Sequence, residues 1–183
     1  MISDIEAVIL GLISSGSTYG YAIEKAIEVG NMREWTEIAF SSIYTILRRM
    51  KKGNIITSVR ETVNGRSRNT YNLTDKGREE LIKKLQFNLS NKEKVISSFD
   101  VSISCLIMLS KDDVIKALNE YTNSINDRIE RYIVRRDQIN ARLVDKDPQQ
   151  FFLTALGDRH ITMLEAEKEW LDEYLKEITQ KLK

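Results

Sequence analysis

The order of local folding signals between Ser41 and Gly77 constrains this chain more than any other feature. Apolar residues first recur at helical spacing, and two β-prone runs then flank Asn64-Gly65. An Asn-Gly pair between two such runs is a strong signal for a hairpin. Thr74 follows where the N-cap of a helix belongs, with an acidic residue directly after it. The segment is therefore predicted to fold as helix, turn, two-stranded hairpin and helix, which is the order of a winged helix-turn-helix domain.

The first helix of this segment is predicted to have one apolar and one cationic face. Ser41 and Ser42 suit its N-cap, and Gly53 suits a left-handed position at its C-terminus. The positions that would pack inward are Ile43, Ile46, Leu47 and Met50. The positions left on the other face are Tyr44, Thr45, Arg48, Arg49 and Lys52. A helix with such a face can enter a groove of DNA, which makes DNA binding the leading hypothesis.

Positive charge is concentrated in the same part of the chain. Residues 41–70 hold seven Arg and Lys side chains against Glu61 alone, whereas the whole chain has a net charge of only +1. Arg66 and Arg68 follow the predicted turn, so they would stand near the hairpin tip, within reach of phosphates or of a narrow minor groove. Such a concentration is expected of a surface that neutralises DNA phosphates. A solvated helix face beside an ordinary hairpin is the alternative interpretation.

Two helices are predicted ahead of this segment, and they would scaffold the helix that enters the groove. An apolar stripe from Ile5 to Ile13 predicts the first, and Tyr19-Gly20-Tyr21 opens the second. Both tyrosines would stand at a helix N-terminus, where backbone amides and side chains can also contact phosphate. Packing against the core is the other interpretation of these two tyrosines.

A set of motif residues in the first half of the chain resembles a known family. The residues that carry the resemblance are Tyr19, Gly20, Tyr21, Trp35, Ser42, Ile43, Tyr44, Leu47, Arg49, Met50, Gly53, Tyr71, Asn72, Leu73, Thr74 and Gly77. On them the chain resembles the PadR family of transcriptional regulators, closely over residues 4–80 and in architecture beyond. Thr45 departs from the pattern, since many members have proline there. The resemblance implies binding to palindromic promoter DNA, usually as a repressor that a small aromatic or hydrophobic effector releases.

The second half of the chain is predicted to be helical and to associate with a second copy. A long helix begins at Lys111 and ends before Pro148, the only proline, after which a second long helix follows. The stripe of that second helix that would pair two protomers is Leu153, Leu156, Met163, Trp170, Tyr174 and Ile178. Two antiparallel helices bury only part of such stripes, so the surplus apolar surface predicts a homodimer.

The predicted fold class is mainly α, in two domains. An N-terminal winged helix-turn-helix domain with a two-stranded wing is expected at residues 1–87, and an α-helical C-terminal dimerisation domain at residues 88–183. Two winged helices related by a twofold axis can read half-sites about 34 to 36 Å apart, one turn of DNA. The expected partner is therefore double-stranded DNA with an inverted-repeat operator.

Within each half-site, the residues of the cationic helix and of the wing are given different roles. Tyr44, Arg48 and Arg49 are expected to reach bases, since arginine pairs with guanine in the major groove. The residues expected to hold phosphate or the minor groove are Ser41, Ser42, Lys52, Arg66 and Arg68.

Four other residues invite a functional interpretation, and each also has a structural one. Trp35 and Trp170 are explained by packing, but one of them could stand beside an effector cavity between protomers. Cys105 is predicted to be a small core residue, and His160 to be packed on an apolar helix face. With one cysteine and one histidine, neither an intramolecular disulfide nor a Cys/His metal cluster can form, and no metal or cofactor is expected.

The sequence gives no support to an enzyme, because it has no Gly-rich phosphate loop and no nucleophile elbow. A winged helix that binds a protein and no DNA is the alternative class, which a neutral or acidic third helix would favour. The longest strongly apolar stretch, Val101–Leu109, is too short to span a bilayer, and the N-terminus lacks signal-peptide features. A cytoplasmic protein without membrane contact is therefore expected.

Overall fold

The structure of the protein, a computed structural model, describes residues 1–39, 42–63, 66–92, 94–141 and 148–181. In chain order the elements are α1 (Asp4–Ser14), α2 (Gly20–Val29), α3 (Ile43–Lys52), β1 (Ile56–Val63), β2 (Arg66–Leu73), α4 (Asp75–Ser90), α5 (Ser98–Ser104), α6 (Lys111–Ala141) and α7 (Pro148–Lys181). The predicted class, mainly helical with a two-stranded wing, is confirmed.

The chain divides into two compact units, residues 1–95 and 96–183. The first unit extends past residue 87, where the sequence placed the domain limit, because helix α4 continues to Ser90. No helix in the described ranges has a stretch that is both long and apolar enough to cross a bilayer.

The core of the first unit is built from one face of each helix and from the base of the hairpin. Helix α1 begins with a capping box, in which the amide of Glu6 donates to the Ser3 hydroxyl and the amide of Ser3 donates to the Glu6 carboxylate. The largest fully buried side chains of this core are Ile9, Leu10, Ile23, Ile27, Ile43, Leu47, Met50 and Ile56. Each such side chain stabilises the fold by about 1.5 to 3 kcal/mol when it leaves water.

The ends of α3 differ from the predicted caps. Ser42 does not cap the helix, since its hydroxyl donates to the Ala39 carbonyl oxygen at 2.6 Å and its backbone is already helical. Gly53 has a φ of −80°, and the left-handed residue is Asn54, with a φ of 55°. Asparagine tolerates this conformation better than other residues that carry a side chain, so it turns the chain from α3 toward β1.

The wing has the predicted pairing. Strands β1 and β2 are antiparallel, with Ile56 opposite Leu73 at the base and Val63 opposite Arg66 at the other end. The predicted Asn-Gly turn, residues 64–65, lies outside the described residues. Thr74 caps α4 as predicted, because its side-chain oxygen accepts a hydrogen bond from the Gly77 amide at 2.9 Å.

The second unit is built on the predicted antiparallel pair of long helices. Lys111 near the start of α6 bonds to the Thr179 carbonyl near the end of α7, and Arg136 near the end of α6 pairs with Asp158. The side chains buried between the two helices are Val114, Leu118, Ile125, Leu164, Leu171 and Ile178.

The buried face of α7 is not the stripe read from the sequence. Leu164 and Leu171 pack against α6, whereas Leu153, Met163 and Trp170 of the predicted stripe are exposed. Ile178 belongs to the core of its own unit and is only 4% exposed. Helical spacing cannot decide between adjacent stripes when a helix is apolar over much of its circumference.

The apolar segment before α6 is less buried than its composition predicted. Phe99, Ile103 and Leu106 pack against the core of the second unit. Its exposed apolar side chains are Val95, Ile96, Val101, Ile107, Met108 and Leu109. Cys105 is also exposed, so its prediction as a core residue is wrong. A helix of seven residues beside a two-helix core can turn only one side inward, which leaves the other apolar positions uncovered.

Candidate nucleic-acid interface

Helix α3 presents the predicted polar and cationic face. Its four apolar positions are buried, which turns Tyr44, Thr45, Arg48 and Lys52 outward. The Tyr44 side chain is 51% exposed. Arg48 makes no hydrogen bond or ion pair with the part of the chain that the structure describes, so its guanidinium is available to a ligand.

Arg49 is held by a carboxylate of α1. Its Nε and one terminal nitrogen lie 3.1 Å and 3.0 Å from Oε1 of Glu6. Glu6 is well covered, with 14% of its side chain exposed, whereas the Arg49 side chain is 63% exposed. Arg49 therefore ties the third helix to the first, and it reaches a base only if it leaves or shares this carboxylate.

This ion pair makes the stability of the first unit depend on pH. Burial raises the pKa of Glu6, but hydrogen bonds from the Ser3 amide and from Arg49 outweigh it and hold the pKa below its ordinary value. A carboxyl group whose pKa is lower in the folded chain adds stability above its unfolded pKa, and this stability is lost as the pH falls through the folded pKa. Between about pH 6 and about pH 3, we expect Glu6→Gln to lose less stability in urea denaturation than the parent chain. Equal losses would contradict this role of Glu6.

The start of α2 fixes where Tyr44 lies. A Cβ atom at Gly20 would stand 2.6 Å from Cε1 of Tyr44 and 3.1 Å from its hydroxyl oxygen. The ring of Tyr44 therefore rests against the backbone at residue 20, which only glycine allows at this distance. The glycine between two tyrosines in the sequence is thus explained by a contact with the third helix.

The wing is attached to the turn before α2. The Tyr71 amide donates to the Thr18 carbonyl oxygen at 2.6 Å, and Tyr19 forms a β-bridge with Thr70. The Arg68 guanidinium lies over the Tyr19 ring, with 4.3 Å to the ring centroid, and 3.8 Å from Glu61. Arg68 is therefore oriented by an aromatic face and a carboxylate, and the wing is oriented by two backbone contacts.

Removing the Tyr19 ring is expected to loosen the wing. Tyr19→Leu keeps an apolar side chain and the backbone bridge but loses the cation–π contact, which is worth about 0.5 to 1 kcal/mol at an exposed site. Amide hydrogen exchange at Thr70 and Tyr71 should then be about threefold faster. Tyr21→Leu is the control, since that side chain is 63% exposed, and unchanged exchange in both variants would contradict the contact.

Other predicted residues of the interface have different surroundings. Ser42 is half-buried and donates to a backbone carbonyl, so its hydroxyl is already used. Ser41 and the side chain of Arg66 lie outside what the structure describes. Sequence reasoning missed Arg60, an exposed arginine on β1 whose Nε donates to the Ser67 hydroxyl at 2.6 Å. The sequence did indicate it, because Arg60 lies in the predicted strand that leads to the Asn64-Gly65 turn.

The two tryptophans lie in different units. Trp35 follows a short 3₁₀ turn, Met32–Glu34, in the first unit and is 37% exposed. Trp170 lies on α7, where it stacks on Tyr174. Among the described residues, no group of three His, Cys, Asp or Glu side chains is placed to hold a metal ion.

Comparison with known proteins gives one family and a set of solved structures. Residues 9–83 match the family described as Transcriptional regulator PadR-like family. No curated protein matches the chain. Bacillus subtilis PadR in complex with operator DNA has a TM-score of 0.81 at 19% identity, covering 96% of this chain and 99% of that one.

Two further structures show the same likeness. Bacillus subtilis PadR in complex with p-coumaric acid has a TM-score of 0.80 at 19% identity, covering 96% of this chain and 98% of that one. The Vibrio cholerae virulence activator AphA has a TM-score of 0.77 at 20% identity, with coverages of 97% and 99%. At these identities the likeness establishes the fold, over nearly the whole chain.

Proposed function

Through residues 9–83 the chain belongs to the PadR-like family of transcriptional regulators, and from this premise we propose that it is a dimeric repressor that binds an inverted-repeat operator. The observation that carries the proposal is the outward face of α3, with Arg48 exposed and unpaired among the described residues, beside a wing anchored to the turn before α2. Phosphate neutralisation by such a face supplies affinity, and arginine contacts to guanine supply specificity.

The roles of the interface residues follow from their surroundings. Arg48 is proposed to reach base edges, because it projects from α3 into solvent. Tyr44 is proposed to reach a base edge from its position against Gly20, where half of its surface stays exposed. Arg49 is proposed to set the angle of α3 through its ion pair with Glu6, and to contact DNA only as a secondary role. The residues proposed for phosphate or minor-groove contact are Tyr19, Tyr21, Ser41, Ser42, Thr45, Lys52, Arg60, Arg66 and Arg68.

The second unit is proposed to pair two protomers. Leu153, Met163 and Trp170 are exposed on α7, and exposed apolar side chains also precede α6. Leu156 and Tyr174, which are partly covered, complete the proposed contact, whereas Ile178 is occupied within its own unit. So many large apolar side chains left exposed on one unit support burial against a second copy.

Repression and release by an effector are the finer parts of the proposal. The proposed repression would act by excluding polymerase from the promoter DNA that the dimer covers. The solved complex of Bacillus subtilis PadR with p-coumaric acid supports a small effector for this chain as well. Operator binding requires access to the chromosome, so a cytoplasmic location is part of the proposal.

A mobility-shift experiment tests the proposal directly. The duplex is the DNA upstream of the protein's own gene, titrated across a salt series with random duplex as competitor. We expect a sharp complex that resists the competitor and weakens steeply as salt rises. Binding that is equally weak on every duplex would refute an operator in this region and favour a winged helix that contacts a protein.

A further inference from the structure

The second unit contains a cavity of about 400 Å³ between α5 and α7. Among the described residues, its lining is Phe99, Asp100, Ile103, Ser104, Glu167 and Trp170. This volume lies within the usual range of small-molecule sites. The lining joins aromatic and apolar surface with two carboxylates, and it includes no basic side chain from the part of the chain that the structure describes.

The two aromatic walls of the cavity are each supported by a second ring. Phe99 and Trp170 have ring centroids 6.2 Å apart and planes at 84°, so they form adjacent walls that meet nearly at a right angle. Tyr121 stacks on Phe99 at 4.3 Å, and Tyr174 stacks on Trp170 at 4.9 Å. Each wall is therefore fixed before any ligand arrives, which lowers the entropic cost of binding.

The carboxylate of Glu167 is also fixed in place. Its Oε1 accepts a hydrogen bond from the Tyr121 hydroxyl at 2.7 Å. Burial and this hydrogen bond raise the pKa of Tyr121 to about 12, so the hydroxyl stays protonated as the donor to Glu167 even in alkaline solution. Asp100 supplies the second carboxylate from α5. Arg128 of α6 also acts on Tyr121 electrostatically, but it does not line the cavity.

We propose that this cavity binds a small organic cation, of the size and type of an aryl quaternary ammonium ion, and that this cation is the effector. Aromatic faces attract cations through their quadrupole, and aromatic cages recognise quaternary ammonium groups in this way. The two carboxylates give the cavity a negative potential, which opposes an anion and complements a single positive charge. The assignment as effector rests on the proposed function, whereas the binding site itself does not.

Calorimetric titration of the full chain tests the site. The probes are benzyltrimethylammonium chloride and the anion of p-coumaric acid, the ligand in one of the solved Bacillus subtilis PadR structures. We expect saturable binding of the cation, once per chain, and none of the anion. Binding of the anion in preference to the cation would overturn the proposal.

Three substitutions separate recognition of charge from loss of structure. Glu167→Gln removes the negative charge but keeps an acceptor for the Tyr121 hydroxyl. Asp100→Asn removes the negative charge of the other carboxylate. Each of these two substitutions should lower the affinity for the cation by about tenfold. Glu169→Gln removes the same charge from another face of α7 and should leave the affinity within about twofold. Equal affinities in all three variants would overturn recognition by the two carboxylates.

The same preparations distinguish failure of the site from failure of the proposed function. The operator complex should dissociate when the cation is added, and Glu167→Gln should require about tenfold more cation for this effect. Operator binding without any cation binding would overturn this inference alone. Cation binding that leaves the operator complex intact would overturn the assignment as effector. Cation binding by a chain that binds no operator would refute the proposed function and leave the site standing.

Discussion

Replacing Gly77 with alanine is expected to destabilise the first unit by about 3 kcal/mol. A Cβ atom at residue 77 would stand 2.0 Å from the Ile55 carbonyl oxygen and 3.0 Å from the carbonyl carbon. Both partners in this clash are backbone, so no side-chain rotation relieves it. The same carbonyl accepts hydrogen bonds from the Thr74 amide and hydroxyl, at 3.2 Å and 3.0 Å. Moving α4 away would therefore also break its attachment to the chain between α3 and β1.

Gly11 is the matched control for this substitution. It lies inside α1, and a Cβ atom there would meet no atom within 4 Å. Gly11→Ala should stabilise the unit by about 0.5 to 1 kcal/mol, because alanine loses less backbone entropy in a helix than glycine. Denaturation followed by Trp35 fluorescence in a Trp170→Phe background reports the first unit. Similar changes at both glycines would contradict the close approach of α4 to Ile55.

Replacing Arg48 with alanine is expected to lower operator affinity by about 10- to 100-fold, with little effect on stability. Arg48 is exposed on α3 and has no partner among the described residues, so its removal costs the folded chain little. Compared with Arg48→Ala, Arg49→Ala should lower operator affinity less and destabilise the first unit more, because Arg49 already bonds to Glu6. Mobility shifts and urea denaturation on the same preparations separate the two effects.

Lys52 is the control for sequence specificity. Lys52→Ala should lower the affinity for the operator and for random duplex by the same factor. It should also reduce the slope of log affinity against log salt concentration by about 1, as expected of a phosphate contact. Arg48→Ala should instead weaken the operator more than random duplex. If the double variant of Arg48 and Arg49 retains the affinity of the parent chain at moderate salt, α3 is not the helix that reads the operator.

Local signals predicted the first unit well because its elements depend on neighbours in the sequence. The inward positions of α3, the strands of the wing and the Thr74 cap follow from spacing and from residue type. The pairing of Arg49 with Glu6 could not be predicted, because the two residues are 43 positions apart and both also suit exposed positions. The sequence analysis assigned the left-handed conformation after α3 to Gly53, but Asn54 adopts it. Glycine and asparagine both favour this conformation, so residue type could not decide between them.

The second unit was predicted less completely because long apolar helices offer several stripes of similar quality. The stripe read from the sequence ran through Met163 and Trp170, whereas Leu164 and Leu171 are the residues of α7 that pack against α6. The aromatic cavity could not be found by spacing, since Phe99 and Glu167 come together only when α5 lies beside α7. A tryptophan four residues before a tyrosine was the only hint of its stacked wall.

The contact of Thr18 and Tyr19 with β2 also protects the wing from aggregation. A two-stranded hairpin on its own has two open edges, and each open edge can pair with a strand from another molecule. Here residues 18–19 pair with β2 at Thr70 and Tyr71, which covers the middle of its outer edge. The outer edge of β1 carries the opposite charges of Arg60 and Glu61 at consecutive positions, and charged side chains on an edge strand disfavour pairing with another chain. The hairpin proposed to reach DNA can therefore stay exposed while less of its edge is open to strands of other molecules.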